Sequence, residues 1–114
     1  MTEVRVIVVV PPVEITERTL PAFERELLDH LAADVQGIVL DLASVTFINS
    51  AGLGTLVKVG MRLDRRGGRL AFARAQRGTQ HTITLLGLDR KLPIFPTIEA
   101  ATEHVASAAA PHQG

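Results

Sequence analysis

The chain contains no cysteine, which excludes disulfide cross-links, thiol nucleophiles and thiolate-bound metals, and nothing in it argues for an oxidising compartment. No apolar run approaches the roughly 20 residues that a membrane-spanning helix needs. The N-terminus, Met1-Thr2-Glu3-Val4-Arg5, has an acid near its start and passes straight into a strand pattern, without the apolar core and cleavage site of a leader. A soluble, cytoplasmic protein without membrane insertion is the expectation. Excess charge is missing too, since 12 basic and 12 acidic residues give a formal net charge of zero. That balance argues against a nucleic-acid binder that works by bulk electrostatics. His30, His81, His104 and His112 lie far apart without ligand spacing, so no metal and no cofactor is expected.

At 114 residues the chain is long enough for one self-sufficient domain and too short for two. Its charge is unevenly placed. Residues 1–41 hold eight acids against three bases, whereas the stretch from Lys58 to Arg77 holds seven bases against Asp64 alone. The basic stretch reads either as a partner-docking face or as a solvated helix end whose cations complement the helix dipole.

The chain is organised around the stretch from Ile38 to Gly54. An apolar run of strand length, Ile38–Leu42, leads through a short turn to Asn49-Ser50, two capping residues placed just before a helix-period pattern. Ser50 is therefore expected at a helix N-terminus, where unpartnered N–H groups and aligned peptide dipoles favour an anion. Gly52 and Gly54 leave the first turn unshielded, open to a phosphate or a partner protein. The plainer reading keeps Asn49 and Ser50 as caps and the glycines as packing devices. Asp41 is the one charged residue inside the apolar strand. It needs a partner, so it is expected to hold the loop that carries Ser50 rather than to catalyse.

Around this centre the pattern alternates strand and helix. Val4–Val10 is a nearly unbroken β-branched run, read as a strand covered on both faces and stopped by Pro11-Pro12. Thr16 or, better, Thr19 caps an amphipathic helix with Leu20, Phe23, Leu27, Leu28 and Leu31 on one side. The second helix presents Leu53, Leu56, Val57, Met61 and Leu63 as its packing stripe, with Gly60 permitting close contact and Thr55, Lys58, Val59, Arg62 and Arg65 turned outward or sideways. Gly67-Gly68 ends it. A strand over Arg69–Ala75, a helix over Thr79–Leu86 closed by Gly87, an edge strand within Lys91–Phe95 interrupted by Pro93, and a final helix capped by Thr97 complete the order. That last helix turns Ile98, Ala101 and Val105 inward, and residues 107–114 form a fraying tail behind a domain of residues 1–106. The alternation implies an α/β layer fold: a mostly parallel sheet of four to five strands with about four helices.

Catalytic signals are weak. Ser50 has no histidine near it in sequence and no Gly-x-Ser-x-Gly elbow, and Gly52-x-Gly54 is half of a dinucleotide fingerprint. No enzyme is expected.

The segment Asp41-Leu-Ala-Ser-Val-Thr-Phe-Ile-Asn-Ser-Ala-Gly-Leu-Gly54 resembles the signature of STAS domains, and in particular of bacterial anti-sigma factor antagonists. The likeness extends into Gly87-Leu88-Asp89 and Ile94–Ala101, and covers roughly Val4 to Val105. It implies a STAS-like fold and a protein-binding module in which Ser50 is the phosphoacceptor. An anti-sigma factor serine kinase and a serine phosphatase would be its partners, and the chain would be a monomer or weak dimer. By the same resemblance the docking residues are Asn49, Ser50, Ala51, Gly52, Leu53, Gly54, Thr55 and Lys58. Asn49 departs from the family's usual aspartate, and Pro11–Ile15 departs from its usual Gly-x-Leu/Ile-Asp turn. An accessory STAS subunit of a phospholipid-transport ATP-binding-cassette system, or of a stress-signalling scaffold, is the alternative.

Overall fold

The computed structural model describes residues 4–108. Six strands and four helices alternate along it: β1 (Val6–Val9), β2 (Glu14–Ile15), α1 (Leu20–Ala32), β3 (Gly37–Asp41), β4 (Phe47–Ile48), α2 (Ser50–Arg65), β5 (Arg69–Ala73), α3 (Arg77–Leu85), β6 (Ile94–Phe95) and α4 (Ile98–Ala108). A single 3-10 turn, Leu88–Arg90, follows α3. Helix α4 continues past residue 106, and the rest of the expected tail lies outside the described residues.

Strands β1, β3, β5 and β6 form one parallel sheet in chain order. Parallel crossovers are right-handed in nearly all proteins, so steps taken in one direction bring their helices to one face. The core agrees. Ile38 and Leu40 of β3 and Leu70 and Phe72 of β5 pack with Phe23, Leu27 and Leu31 of α1, Leu56, Val59 and Leu63 of α2, and Ile83 of α3. Their alternating neighbours Val39, Ala71 and Ala73 face the other way and meet Ala101 and Val105 of α4. The small alanines let α4 lie close to the sheet.

Two expectations about strands need correction. The β-branched run of β1 is not covered on both faces: β1 is an edge strand paired only with β3, and Val8 is 46% exposed. Val6 packs on the α4 side, but α4 does not reach as far as Val8. The turn between β3 and α2 is also more ordered than a turn. Phe47–Ile48 pairs in parallel with Glu14–Ile15 as a separate two-stranded ribbon.

The stripe of α2 is corrected as well. Gly52, Leu53, Thr55, Leu56, Val59, Gly60 and Leu63 are buried, while Met61 is 43% exposed. At roughly 100° per residue, Val59 lies diametrically opposite Ser50 and Met61 almost beneath it, so an exposed Ser50 forces Val59 inward and Met61 outward. The end of α2 follows expectation: Gly67 takes φ +81°, and the Gly68 N–H returns to the Leu63 carbonyl at 2.8 Å.

Candidate functional site

Helix α2 begins at Ser50, and its N-cap is Asn49, whose extended backbone (φ −82°, ψ 173°) lets Oδ1 accept from the Gly52 N–H at 2.8 Å. Capping is thus done by the residue ahead of the serine. Ser50 is exposed, and its hydroxyl makes no hydrogen bond among the described residues. The Asn49 amide has a second task. Its Nδ2 donates to Glu17 Oε2 at 3.4 Å, so a carboxylate from the turn before α1 stands beside the cap. Glu17 carries no sequence signal, being 32 residues away.

The expected docking residues divide into two sets. Ser50, Ala51, Gly54 and Lys58 are exposed, and Asn49 is half-buried. Gly52, Leu53 and Thr55 are buried and present no side chain to a partner. Gly52 is not an opening to the backbone: a Cβ placed there would meet Ile15 Cγ2 at 2.7 Å and Ile48 Cγ2 at 3.1 Å. It lets the tip of α2 sit on the β2–β4 ribbon. Gly54 has open space around it. Next to the ribbon and within it, two exposed apolar residues carry no sequence signal, Val13 (55% exposed) before β2 and Phe47 (50% exposed) three residues before the serine.

Asp41 closes β3 and faces the segment that leads to Ser50. Its Oδ1 accepts from the Ala43 N–H at 3.1 Å and from Arg74 Nε at 3.0 Å, and its Oδ2 accepts from Arg74 Nη2 at 2.6 Å. Arg74 reaches this bidentate geometry from a left-handed backbone (φ 59°) that non-glycine residues rarely adopt. Two more side chains, one from the β5–α3 connection and one from α3 itself, hold the same segment. Gln76 Nε2 donates to the Ala43 carbonyl at 2.7 Å, and Thr79 Oγ1 donates to the Val45 carbonyl at 3.2 Å. The strand end, the loop and α3 are thereby tied together.

The Arg74 hydrogen bonds, aided by the Ala43 N–H, hold the Asp41 carboxyl below its ordinary value of 3.8 against the opposing effect of desolvation. A carboxyl depressed in the folded state stabilises fully above its unfolded value, and that stability is lost as pH falls through the folded value. Wild type is therefore expected to lose stability on acidification below about pH 4 more steeply than Asp41→Asn. Thermal melts at stepped pH check this; parallel curves for the two proteins would contradict it.

His104 serves elsewhere: its ring meets Phe95 at a 40° tilt with centroids 5.0 Å apart, and Nε2 lies 3.2 Å from Arg69 Nη1, on the α4 side of the sheet. Burial, with Arg69 adding to it, pushes its pKa down. No group of three or more histidine or carboxylate residues among the described residues has the geometry of a metal site. No helix among them is long and apolar enough to cross a membrane.

Comparison with known proteins matches this architecture. A Thermotoga maritima protein, whose own assignment as an anti-sigma factor antagonist is provisional, is 28% identical over 101 residues, covering 88% of this chain and 89% of the relative. The crystal structure of an antagonist from the same organism, also provisionally assigned and 28% identical, superposes with a TM-score of 0.81, covering 88% of this chain and 86% of that one. An anti-sigma factor antagonist from Mycobacterium paratuberculosis, also 28% identical, superposes at 0.73 over 92% of this chain and 89% of its own. The unphosphorylated form of the antagonist SpoIIAA, at 17% identity, shares the fold with a TM-score of 0.78 over 94% of this chain and 93% of that one. The STAS domain profile matches residues 2–101, nearly the whole chain, and the protein belongs to the STAS domain family.

Proposed function

We propose that this protein is an anti-sigma factor antagonist, a binding module that docks an anti-sigma factor kinase while Ser50 is unmodified and releases it once Ser50 is phosphorylated. The observation that carries the reading is the exposed hydroxyl of Ser50 at the first position of α2, left free because Asn49 does the capping. The names of the 28%-identical relatives support the same class of function.

Phosphoryl transfer would join Ser50 Oγ to the γ-phosphorus of ATP, releasing ADP and the hydroxyl proton. The product brings about −1.5 to −2 charges to a helix N-terminus. Dipole and unpartnered N–H groups there stabilise an anion by about 0.3–1 kcal/mol, so the fold tolerates the phosphate. A partner packed on Ser50, Ala51 and Gly54 meets both bulk and charge. Docking is thus switched at the surface, without rearrangement of the core.

Asn49 supplies the cap without the negative charge that an aspartate would add, and Glu17 stands 3.4 Å from its amide. The test is incubation with an anti-sigma factor serine kinase of the same organism and ATP, followed by mass spectrometry of the peptide spanning Ser50. One added phosphate on that peptide, absent from Ser50→Ala, is the expected result. An unmodified Ser50 under conditions where the kinase modifies a known substrate would overturn the switch.

A further inference from the structure

The exposed arc of α2 that begins at Ser50 continues to the other end of the helix. At roughly 100° per residue, Gly54, Lys58, Met61, Arg62 and Arg65 all fall within about 120° of Ser50, and all five are exposed. Lys58, Arg62 and Arg65 have no carboxylate within 4.0 Å among the described residues. Beside them, between the C-terminal halves of α1 and α2, runs an open groove of about 450 Å³, with Leu28, Leu31 and Ala32 on one wall and Arg62, Arg65 and Arg66 on the other. Arg66 is spoken for: its guanidinium donates to the Leu31 carbonyl at 2.9 Å and to the Val35 carbonyl, closing the end of α1. The other two cations are free to meet a ligand.

We propose that this groove is a second docking element, which receives an acidic amphipathic helix of the protein that docks at Ser50. The proposal rests on the reading of α2's tip as a docking surface, and it names the chemistry of the partner. A furrow between two packed helices suits a third helix. Apolar residues of such a helix would cover Leu28 and Met61, and its carboxylates would meet Arg62 and Arg65. A polyanion such as duplex DNA fits less well, because it offers no apolar surface to the exposed Leu28 on the α1 wall.

Arg62 lies about 18 Å along the helix from Ser50, beyond the screening length of about 8 Å at physiological salt, so the two ends are separable by experiment. The probe is a 15-residue helical peptide of leucine, alanine and glutamate, titrated into the isotope-labelled full chain and followed by amide shifts. Shifts are expected on Leu28–Ala32 and Met61–Arg66, weakening with added salt. Arg62→Glu combined with Arg65→Glu is expected to weaken binding at least tenfold, and the milder Arg62→Gln with Arg65→Gln to weaken it less while guarding against misfolding. Ser50→Asp should leave peptide binding unchanged even where it abolishes kinase docking, so failure of the groove and failure of the Ser50 switch are told apart. A lysine version of the peptide, duplex DNA and vesicles containing phosphatidylglycerol are the competing probes. Shifts elsewhere, equal affinity after charge reversal, stronger binding by any competing probe, or self-association through this groove would each overturn the proposal.

Discussion

Ser50→Asp is expected to cost this protein its hold on the anti-sigma factor while leaving its melting temperature level or raised by up to about 5 °C. The two outcomes have separate causes. For the isolated chain, a carboxylate at the first position of α2 faces unpartnered N–H groups and the positive end of the helix dipole, an arrangement neutral or stabilising by up to about 1 kcal/mol. Ser50 is exposed and contributes nothing to the core, so no packing is lost. For the complex, the added charge and length fall where the partner surface closes, and juxtaposed like charge or lost fit costs about 2–3 kcal/mol, roughly a thirty- to 150-fold weaker complex. Calorimetric titration beside a thermal melt reads both quantities. Full-strength binding by a folded Ser50→Asp would remove the physical basis of the switch, and a large drop in melting temperature would show that the serine is structural.

The same substitution at two glycines of α2, two residues apart, is expected to act in opposite directions. Gly52→Ala places a Cβ 2.7 Å from Ile15 Cγ2, an atom on a fully buried, branched side chain that has little room to yield, and 3.3 Å from the capping oxygen of Asn49. Overpacking of this kind costs about 1–3 kcal/mol, against about 1 kcal/mol gained in helix propensity. The helix tip must lift from the β2–β4 ribbon, so stability and docking should fall together. Gly54→Ala meets nothing within 4 Å and keeps the propensity gain, so it should raise stability by up to about 1 kcal/mol. Yet it adds a methyl group to the open face next to Ser50, and docking should weaken although the fold is firmer. Denaturant titrations and binding measurements on the pair would decide. If Gly54→Ala docks as wild type does, the partner does not sit on the first two turns of α2.

Much of this was legible along the chain. Asn49 and Ser50 ahead of a helix period located the tip of α2, Gly67 located its end, and Thr97 capped α4 through its Oγ1, which accepts from the Ala100 N–H at 3.0 Å. These features depend on contacts within a few residues, and neighbouring side chains report them directly. Thr19 was harder to read. It occupies the N-cap of α1, but its hydroxyl is spent on the Glu14 carbonyl at 2.7 Å and caps nothing.

By itself the sequence determined the order of strands and helices, the family pattern and the residue at the helix tip, because periodicity and capping are local properties of the chain. Only tertiary structure decided which residues around that tip are available. Gly52, Leu53 and Thr55 are consumed by the core, the β2–β4 ribbon seats the tip of α2 through Ile15 and Ile48, and Asp41 finds Arg74 across 33 positions. Strand pairing and helix packing join residues by distance in space rather than along the chain, and burial follows from what they join.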